Sequence, residues 1–302
     1  MRRPKREDDI RDFELTTLRD VVVVLARRGR LTWTALQGEL VRAGVGTIRR
    51  GTPFSRGRLY NCVADLRCLG FIKPDTDGYE LTKLGRRFSE VARYKTKQVS
   101  AAERQFFMAG MFLCAPTSRF LSYFTGGHRP RSVRSFSHHA MPLQVVCDRR
   151  DKVIFRRKSN QTFRLRGEAE VNRLRWGAFL LCRDAGLVDD LRVKHSKGVG
   201  NLWLLPIDPE ARLSLAETRS EVESYIREHG GSEARAEVPE LILHLSGKYK
   251  TPVEQVKRVL RKIITSPAYY AERSPGDWVQ GFEKSFIKIS DAYRSAIYFT
   301  EQ

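Results

Sequence analysis

The sequence predicts a mainly α-helical chain with small β-hairpins, an α+β fold, and three observations carry that expectation. Apolar residues recur at helical spacing in stretches that close on glycine, as in FELTTLRDVVVVLARRG and LTWTALQGELVRAG. Short apolar runs flank turn-forming residues, as in FIKPDTDGYEL. The order of helix followed by hairpin then returns further along the chain. With 41% hydrophobic and 30% charged residues, 302 residues suffice for two or three domains with buried cores, which argues against wholesale disorder.

In residues 1–95 a first helix closes at Gly29. A second is capped by Thr32 or Thr34 and stops at Gly44. After the loop VGTIRRGTPF, a third helix starts at Ser55 as N-cap and ends at Gly70, burying Leu59, Cys62, Val63 and Leu66. The strands FIK and YEL follow, joined by the turn formers Pro74, Asp75, Thr76, Asp77 and Gly78. Three helices and a hairpin in this order are those of a winged helix-turn-helix, so 1–95 is expected to be a winged-helix DNA-binding domain.

Residues 96–210 are expected to form a second, basic winged-helix-like domain. It opens on the helix AAERQFFMAGMFLCAP and passes an exposed loop, GGHRPRSVRSFSHH. A hairpin in PLQVVCDRRDKVIFRRK turns around 148–151. A helix in GEAEVNRLRWGAFLLCRDAGLV and a hairpin in LRVKHSKGVGNLWLLPI complete it. Residues 211–302 are helical and admit a third winged-helix-like reading, with helices at 213–229, 238–246 and 252–265. There SPAYYAERSPGDW reads as a reduced wing and FEKSFIKISDAYRSAIYF as a closing helix. The tandem winged-helix architecture is therefore the expected one.

Charge points to the partner. The chain carries 55 Lys and Arg against 35 Asp and Glu, a formal +20. The first two segments hold nearly all of it: 21 basic against 12 acidic residues in 1–95 and 20 against 10 in 96–210, but 14 against 13 in 211–302. Arginine dominates the first two, and its planar fork suits phosphate and guanine. Double-stranded DNA is the expected partner, with an acidic surface or protein as the rival source of negative charge.

No stretch reaches the length of a membrane span, and MRRPKREDD has no apolar core behind its basic residues, so it reads as a basic arm rather than a signal peptide. The five cysteines, Cys62, Cys68, Cys114, Cys147 and Cys182, are scattered and odd in number. They read as reduced thiols of a cytoplasmic, nucleoid-associated protein, not as a disulfide frame or zinc site.

The third helix has the surface of a reader. Opposite its apolar stripe stand Gly57, Asn61, Ala64 and Cys68, slim or polar, with Arg58 and Tyr60 on the flanks. Such a face fits a major groove, with Asn61 placed for adenine, Arg58 for guanine or phosphate, and Ser55 with the helix N-terminus for phosphate. A slim face equally fits helix–helix packing, and the flanking Asp65 opposes deep insertion. Over residues 54–88 the stretch RGRLYNCVADLRCLGFIKPDTDGYELTKLGRRF resembles the PadR-like prokaryotic winged-helix regulators. Arg58-Leu59-Tyr60 opens the helix, Leu66 through LGFI closes it, and YELTKLG follows the wing. The resemblance implies helix contacts to DNA at Ser55, Arg56, Arg58, Tyr60 and Asn61 and a wing contact at Lys73. Because the wing tip is acidic at Asp75 and Asp77, the cluster Arg49, Arg50, Arg56 and Arg58 is the expected phosphate anchor.

In 96–210, Asn172, Arg173 and Arg175 open a helix that is apolar on two sides, which suits burial better than DNA. The hairpin and its flanks offer Arg149, Arg150, Lys152, Arg156, Arg157, Lys158, Arg164 and Arg166, a phosphate-binding surface or an edge charged to deter sheet pairing. In 211–302 the start TPVE predicts Thr251 as cap, Pro252 at the first position and Glu254 closing a capping box. Lys257, Arg258, Arg261 and Lys262 lie opposite Val256, Val259, Leu260 and Ile263. They face DNA, a partner protein or a second copy of the chain.

No catalytic set emerges. KPDTDGYELTK has the wrong spacing for a PD-(D/E)xK nuclease, His138 and His139 lack a later partner for a metal, and no Walker, Rossmann or serine-elbow motif is present. No cofactor is expected. The function expected is that of a non-enzymatic, sequence-preferring transcription regulator. Two rivals remain, a DNA-recognition or loading subunit of a restriction, antiviral-defence or replication-initiation complex, and a protein-docking adaptor.

Overall fold

The computed structural model describes residues 14–45, 56–147, 153–157, 161–165, 178–194, 200–231, 234–275 and 279–299. It is an α+β protein that divides into two compact units, 1–136 with 165–187, and 137–164 with 188–302. This division differs from the three consecutive segments expected: the 95/96 point falls inside the first unit and 210/211 inside the second.

In the first unit, α1 (Leu15–Arg28) buries Leu18, Val21, Val22 and Leu25 and ends at Gly29, whose φ of 75° an L side chain would resist. Leu31 then makes an isolated antiparallel bridge to Tyr79. Thr32 caps α2 (Trp33–Arg42), accepting from the Ala35 amide at 3.3 Å, so the first of the two candidate caps is the one used. Helix α3 (Arg56–Cys68) buries Leu59, Cys62, Val63 and Leu66 as its periodicity requires. Asp65 is buried with them rather than flanking a groove. Strands β1 (Ile72–Asp75) and β2 (Gly78–Leu81) pair antiparallel from Ile72↔Leu81 to Asp75↔Gly78. Gly78 has to be glycine for closeness: a Cβ there would lie 2.1 Å from the Leu31 carbonyl oxygen.

Thr82 caps α4 (Lys83–Val91), and Ser100 with Glu103 closes a capping box on α5 (Ala101–Leu113). Phe71, Phe88 and Phe107 meet at 5.0–5.2 Å beneath them, in tilted and edge-on geometry. Helices α6 (Ala115–Phe124), α7 (Val133–His139) and α8 (Phe179–Asp184) follow in chain order. The passage expected as an exposed loop is thus partly helical, because Phe136 of α7 buries fully against Phe112 and Phe124.

The cysteine reading needs correction. Cys68 and Cys114 form a disulfide, their Cα atoms 5.0 Å apart. Packing explains it: α5 crosses the end of α3 so closely that a Cβ on Gly110 would lie 2.6 Å from the Leu69 carbonyl oxygen, which carries Cys114, four residues on, to Cys68. Cys62 and Cys182 are free and buried, and burial pushes both thiols up, away from reactivity.

The second unit contains a five-stranded antiparallel sheet, β3 (Leu143–Cys147), β4 (Val153–Arg157), β5 (Thr162–Arg164), β6 (Val188–Lys194) and β7 (Gly200–Pro206), in the order β5-β4-β3-β7-β6. It then runs through α9 (Leu215–His229), β8 (Arg235–Glu237), α10 (Val238–Tyr249), α11 (Val253–Ile264), β9 (Tyr269–Arg273), β10 (Ile287–Ile289) and β11 (Ala292–Phe299). Strand β11 pairs antiparallel with β8, β9 and β10. Val222, Ile226, Leu241, Leu245, Val256, Leu260, Ile263, Ile287 and Ile297 form its core together with Leu191 and Leu205 of the larger sheet.

Two expectations fail here. The stretch expected as a closing helix is the β10–β11 hairpin. Its apolar residues alternate across a sheet, and Ser290, at φ 52°, with Asp291 makes the turn between Ile289 and Ala292. Helix α11 has no capping box: Pro252 is its N-cap, and the first amide, Val253, donates instead to Asp189 Oδ2 of β6 at 3.0 Å. Lys284 Nζ neutralises that carboxylate at 2.6 Å and Asp190 at 3.1 Å.

Between α9 and α10, Glu221 accepts from His244 Nε2 and Lys248 Nζ. Burial alone would raise its pKa, but these hydrogen bonds outweigh burial and hold the carboxyl below its ordinary 4.5. A lowered folded pKa means stability that is complete above the ordinary value and lost as pH falls through the depressed one. Glu221→Gln is therefore expected to cost about 1 kcal/mol at pH 7 and to flatten the acid limb of the full chain's melting curve. An unchanged acid limb in thermal melts refutes this.

Candidate nucleic-acid interface

Three surfaces carry the sequence-predicted residues, and they lie on different elements. On α11 the apolar face of Val256, Leu260 and Ile263 is fully buried, and Arg258, Arg261 and Lys262 stand exposed on the opposite face. Among the described residues no carboxylate pairs with these three. Lys257 differs, since its ammonium pairs with Glu254 at 3.0 Å and its side chain is 11% exposed. Val259, expected in the core face, is half-buried.

The second surface is α3 with its hairpin. Tyr60 projects, 43% exposed, and Asn61 is half-buried beside it. Arg56 and Arg58 fall in the first turn of α3, where the backbone alone is described; Arg49, Arg50 and Ser55 lie outside the described residues altogether. Lys73 is not free for phosphate, because it pairs across the hairpin with Glu80 at 2.6 Å. The acidic tip is held by Arg30, 2.9 Å from Asp75 and 3.5 Å from Asp77. The Thr76 amide donates to Asp75 and holds its carboxyl below the ordinary range. With two cations against three carboxylates, these pairs leave the wing without net positive charge.

Sequence reasoning missed a group of rings on that face. Trp33, at the start of α2, lies 5.9 Å from the Tyr60 ring and 6.0 Å from the Tyr79 ring, at interplanar angles of 59° and 66°. The three rings and Gly57 line an open pocket of about 520 Å³. Only the LTW step between two capped helices hinted at it: the Leu31–Tyr79 bridge draws the wing against Trp33.

The third surface is the β4–β5 edge of the larger sheet. Arg156 and Arg164 are exposed, whereas Arg157 is half-buried and donates to Gln161 Oε1 at 2.9 Å. Arg149, Arg150, Lys152, Lys158 and Arg166 lie outside the described residues, as do Asn172, Arg173 and Arg175. His138 and His139 sit in α7, and among the described residues no group of three or more His, Cys, Asp or Glu side chains is placed to hold a metal. No helix of the described residues is long and apolar enough to cross a membrane.

No family model matches the sequence. No curated protein matches it either. Among solved structures the chain is similar to the restriction endonuclease FokI, at a TM-score of 0.40 and 9% identity, over 90% of this chain and 62% of that one. The chain thus spans less than two thirds of that protein's length. This finding corrects one expectation: the similar structure is an enzyme, so the reading of this chain as non-enzymatic is withdrawn. At that TM-score the likeness assigns neither a reaction nor a residue here.

Proposed function

We propose that the chain binds double-stranded DNA through tandem winged-helix units, with α3 and α11 as the helices that face the duplex. The observation that carries this reading is the exposed face of Arg258, Arg261 and Lys262 on α11, which no carboxylate among the described residues neutralises. That helix is the third in the order helix, strand, helix, helix and paired strands. The same order, with a single bridge in place of the first strand, surrounds α3. Cations set on a rigid helix over a sealed core supply phosphate contacts, and the N-terminal part of such a helix reaches base edges. The net charge of +20 and the exposed Arg156 and Arg164 add affinity independent of sequence.

Two jobs use this chemistry: regulating transcription at a preferred site, and supplying DNA recognition to a larger assembly of the restriction, defence or initiation kind. The second is favoured by the presence of separate candidate surfaces in two units, more than one site-reading module requires. The test is selection of bound sequences from random duplex DNA by the full chain, followed by salt titration with single- and double-stranded RNA as controls. Duplex DNA is expected to win, with log affinity falling by about 0.9 per neutralised phosphate for each decade of salt. Absence of duplex binding at about 50 mM salt sinks the proposal and favours a protein-docking role. Co-purification with a stoichiometric partner assigns the subunit role over the regulator.

A further inference from the structure

The ring pocket on the first unit has a chemistry that duplex binding leaves unused. Trp33, Tyr60 and Tyr79 present tilted π-faces around an opening of about 520 Å³, and among the described residues its polar lining is two phenol groups and the indole N–H. Gly57 forms its helical wall: a Cβ added there meets no atom within 4 Å, so the space is open up to the backbone of α3. The surroundings are cationic. Arg67 lies close enough that its charge acts on the Tyr79 phenol, whose pKa burial nonetheless raises, and Gly57 stands between Arg56 and Arg58 in the first turn of α3.

Rings in a cationic setting exclude a quaternary ammonium ligand, which needs aromatic faces without competing positive charge. They fit a planar, neutral, polarisable group attached to phosphates. We propose that this pocket captures an unpaired nucleobase of bound DNA, stacking it against Trp33 and Tyr60. Every base has a π-face, so the pocket recognises the unpaired state of a base more than its identity. The first unit would then discriminate duplexes containing a bulged, flipped or overhanging base from fully paired ones. The proposal rests on the DNA-binding reading given above.

The test uses the full chain and two end-labelled duplexes, one fully paired and one with a single bulged 2-aminopurine. Anisotropy of the end label reports binding, and 2-aminopurine fluorescence reports stacking. The expected result is tighter binding of the bulged duplex, with its base fluorescence quenched. Tyr60→Leu should lower the ratio of bulged to paired affinity about tenfold, and Tyr60→Phe should keep it. Gly57→Leu, which fills the pocket from an open helical position without disturbing the core, should remove the quenching. Equal affinity for both duplexes without quenching overturns the pocket and leaves DNA binding standing. Quenching that survives Gly57→Leu places the base elsewhere and overturns it too. Failure of both duplexes to raise the anisotropy overturns the DNA reading itself and the pocket with it.

Discussion

Arg19→Met is expected to destabilise the first unit by about 3–5 kcal/mol, the cost of removing one partner from a buried charge network. Arg19 lies in the middle of α1 and is fully buried. Its guanidinium donates to Asp20 at 2.8 Å, to the Thr96 hydroxyl at 2.6 Å, to the Thr96 carbonyl at 2.9 Å and to the Gln98 carbonyl at 3.3 Å. Glu103 of the α5 capping box stands 4.0 Å away, also fully buried. One planar fork thus ties α1, the segment before α5 and the α5 N-terminus together, a geometry that lysine, with a single ammonium, cannot copy.

Burial would push the Glu103 carboxyl up. The amides of Arg93 and Ser100, and then Arg19, hold it below the ordinary range. Adding Glu103→Gln to Arg19→Met should therefore cost less than the two single changes summed. Hydrogen exchange of α1 and α5 amides in the full chain, read by mass spectrometry, measures the effect. Protection reduced by less than about 1 kcal/mol equivalent refutes the network's importance.

The combined change of Arg258, Arg261 and Lys262 to alanine is expected to weaken duplex binding on the order of a hundredfold at low salt. It should also shallow the salt dependence by about 0.9 for each phosphate that is no longer neutralised. All three side chains are exposed on α11, away from Val256, Leu260 and Ile263, so stability should change by no more than about 0.5 kcal/mol. Lys257→Ala is the comparison, because that ammonium is already engaged with Glu254, and it should shift affinity far less. Fluorescence anisotropy across a salt series reads both quantities. An unchanged slope in the triple variant removes α11 from the interface.

What the sequence made legible is what local periodicity and turn chemistry encode. The buried stripe Leu59, Cys62, Val63 and Leu66 follows from 3.6-residue spacing, and the first hairpin follows from its Asp-Thr-Asp-Gly turn. The closing hairpin was hidden because Ser290 takes the positive φ that usually announces itself as glycine or asparagine, and because FEKSFIKISDAYRSAIYF also has spacings a helix would accept. Features that join distant residues were not legible: the Cys68–Cys114 bridge waits on how α5 meets α3, and the Val253 amide finds Asp189 across 64 positions. For the candidate site, the exposed cations of α11 could be read from helical periodicity. The pairing of Lys73 with Glu80 across β1 and β2, and the ring cluster around Trp33, depended on strand register and on a single bridge between elements far apart in sequence.

The division of the chain at 136, 164 and 187 has a consequence for its birth. A ribosome making this protein releases most of the first unit's helices early, yet α8, which touches α6 through Phe179 and Phe120, emerges only after strands that belong elsewhere. The amino-terminal fold waits, incomplete, while the strands β3, β4 and β5 pass through the exit tunnel, and Phe120 lacks its contact with Phe179 in the interval. A fragment ending near residue 136 lacks that final helix, whereas one ending near 187 carries β3, β4 and β5 without β7, the strand that pairs with β3. Neither cut yields a clean half. The polypeptide is written as an interleaved text, in which the residues of each unit come in two separate runs.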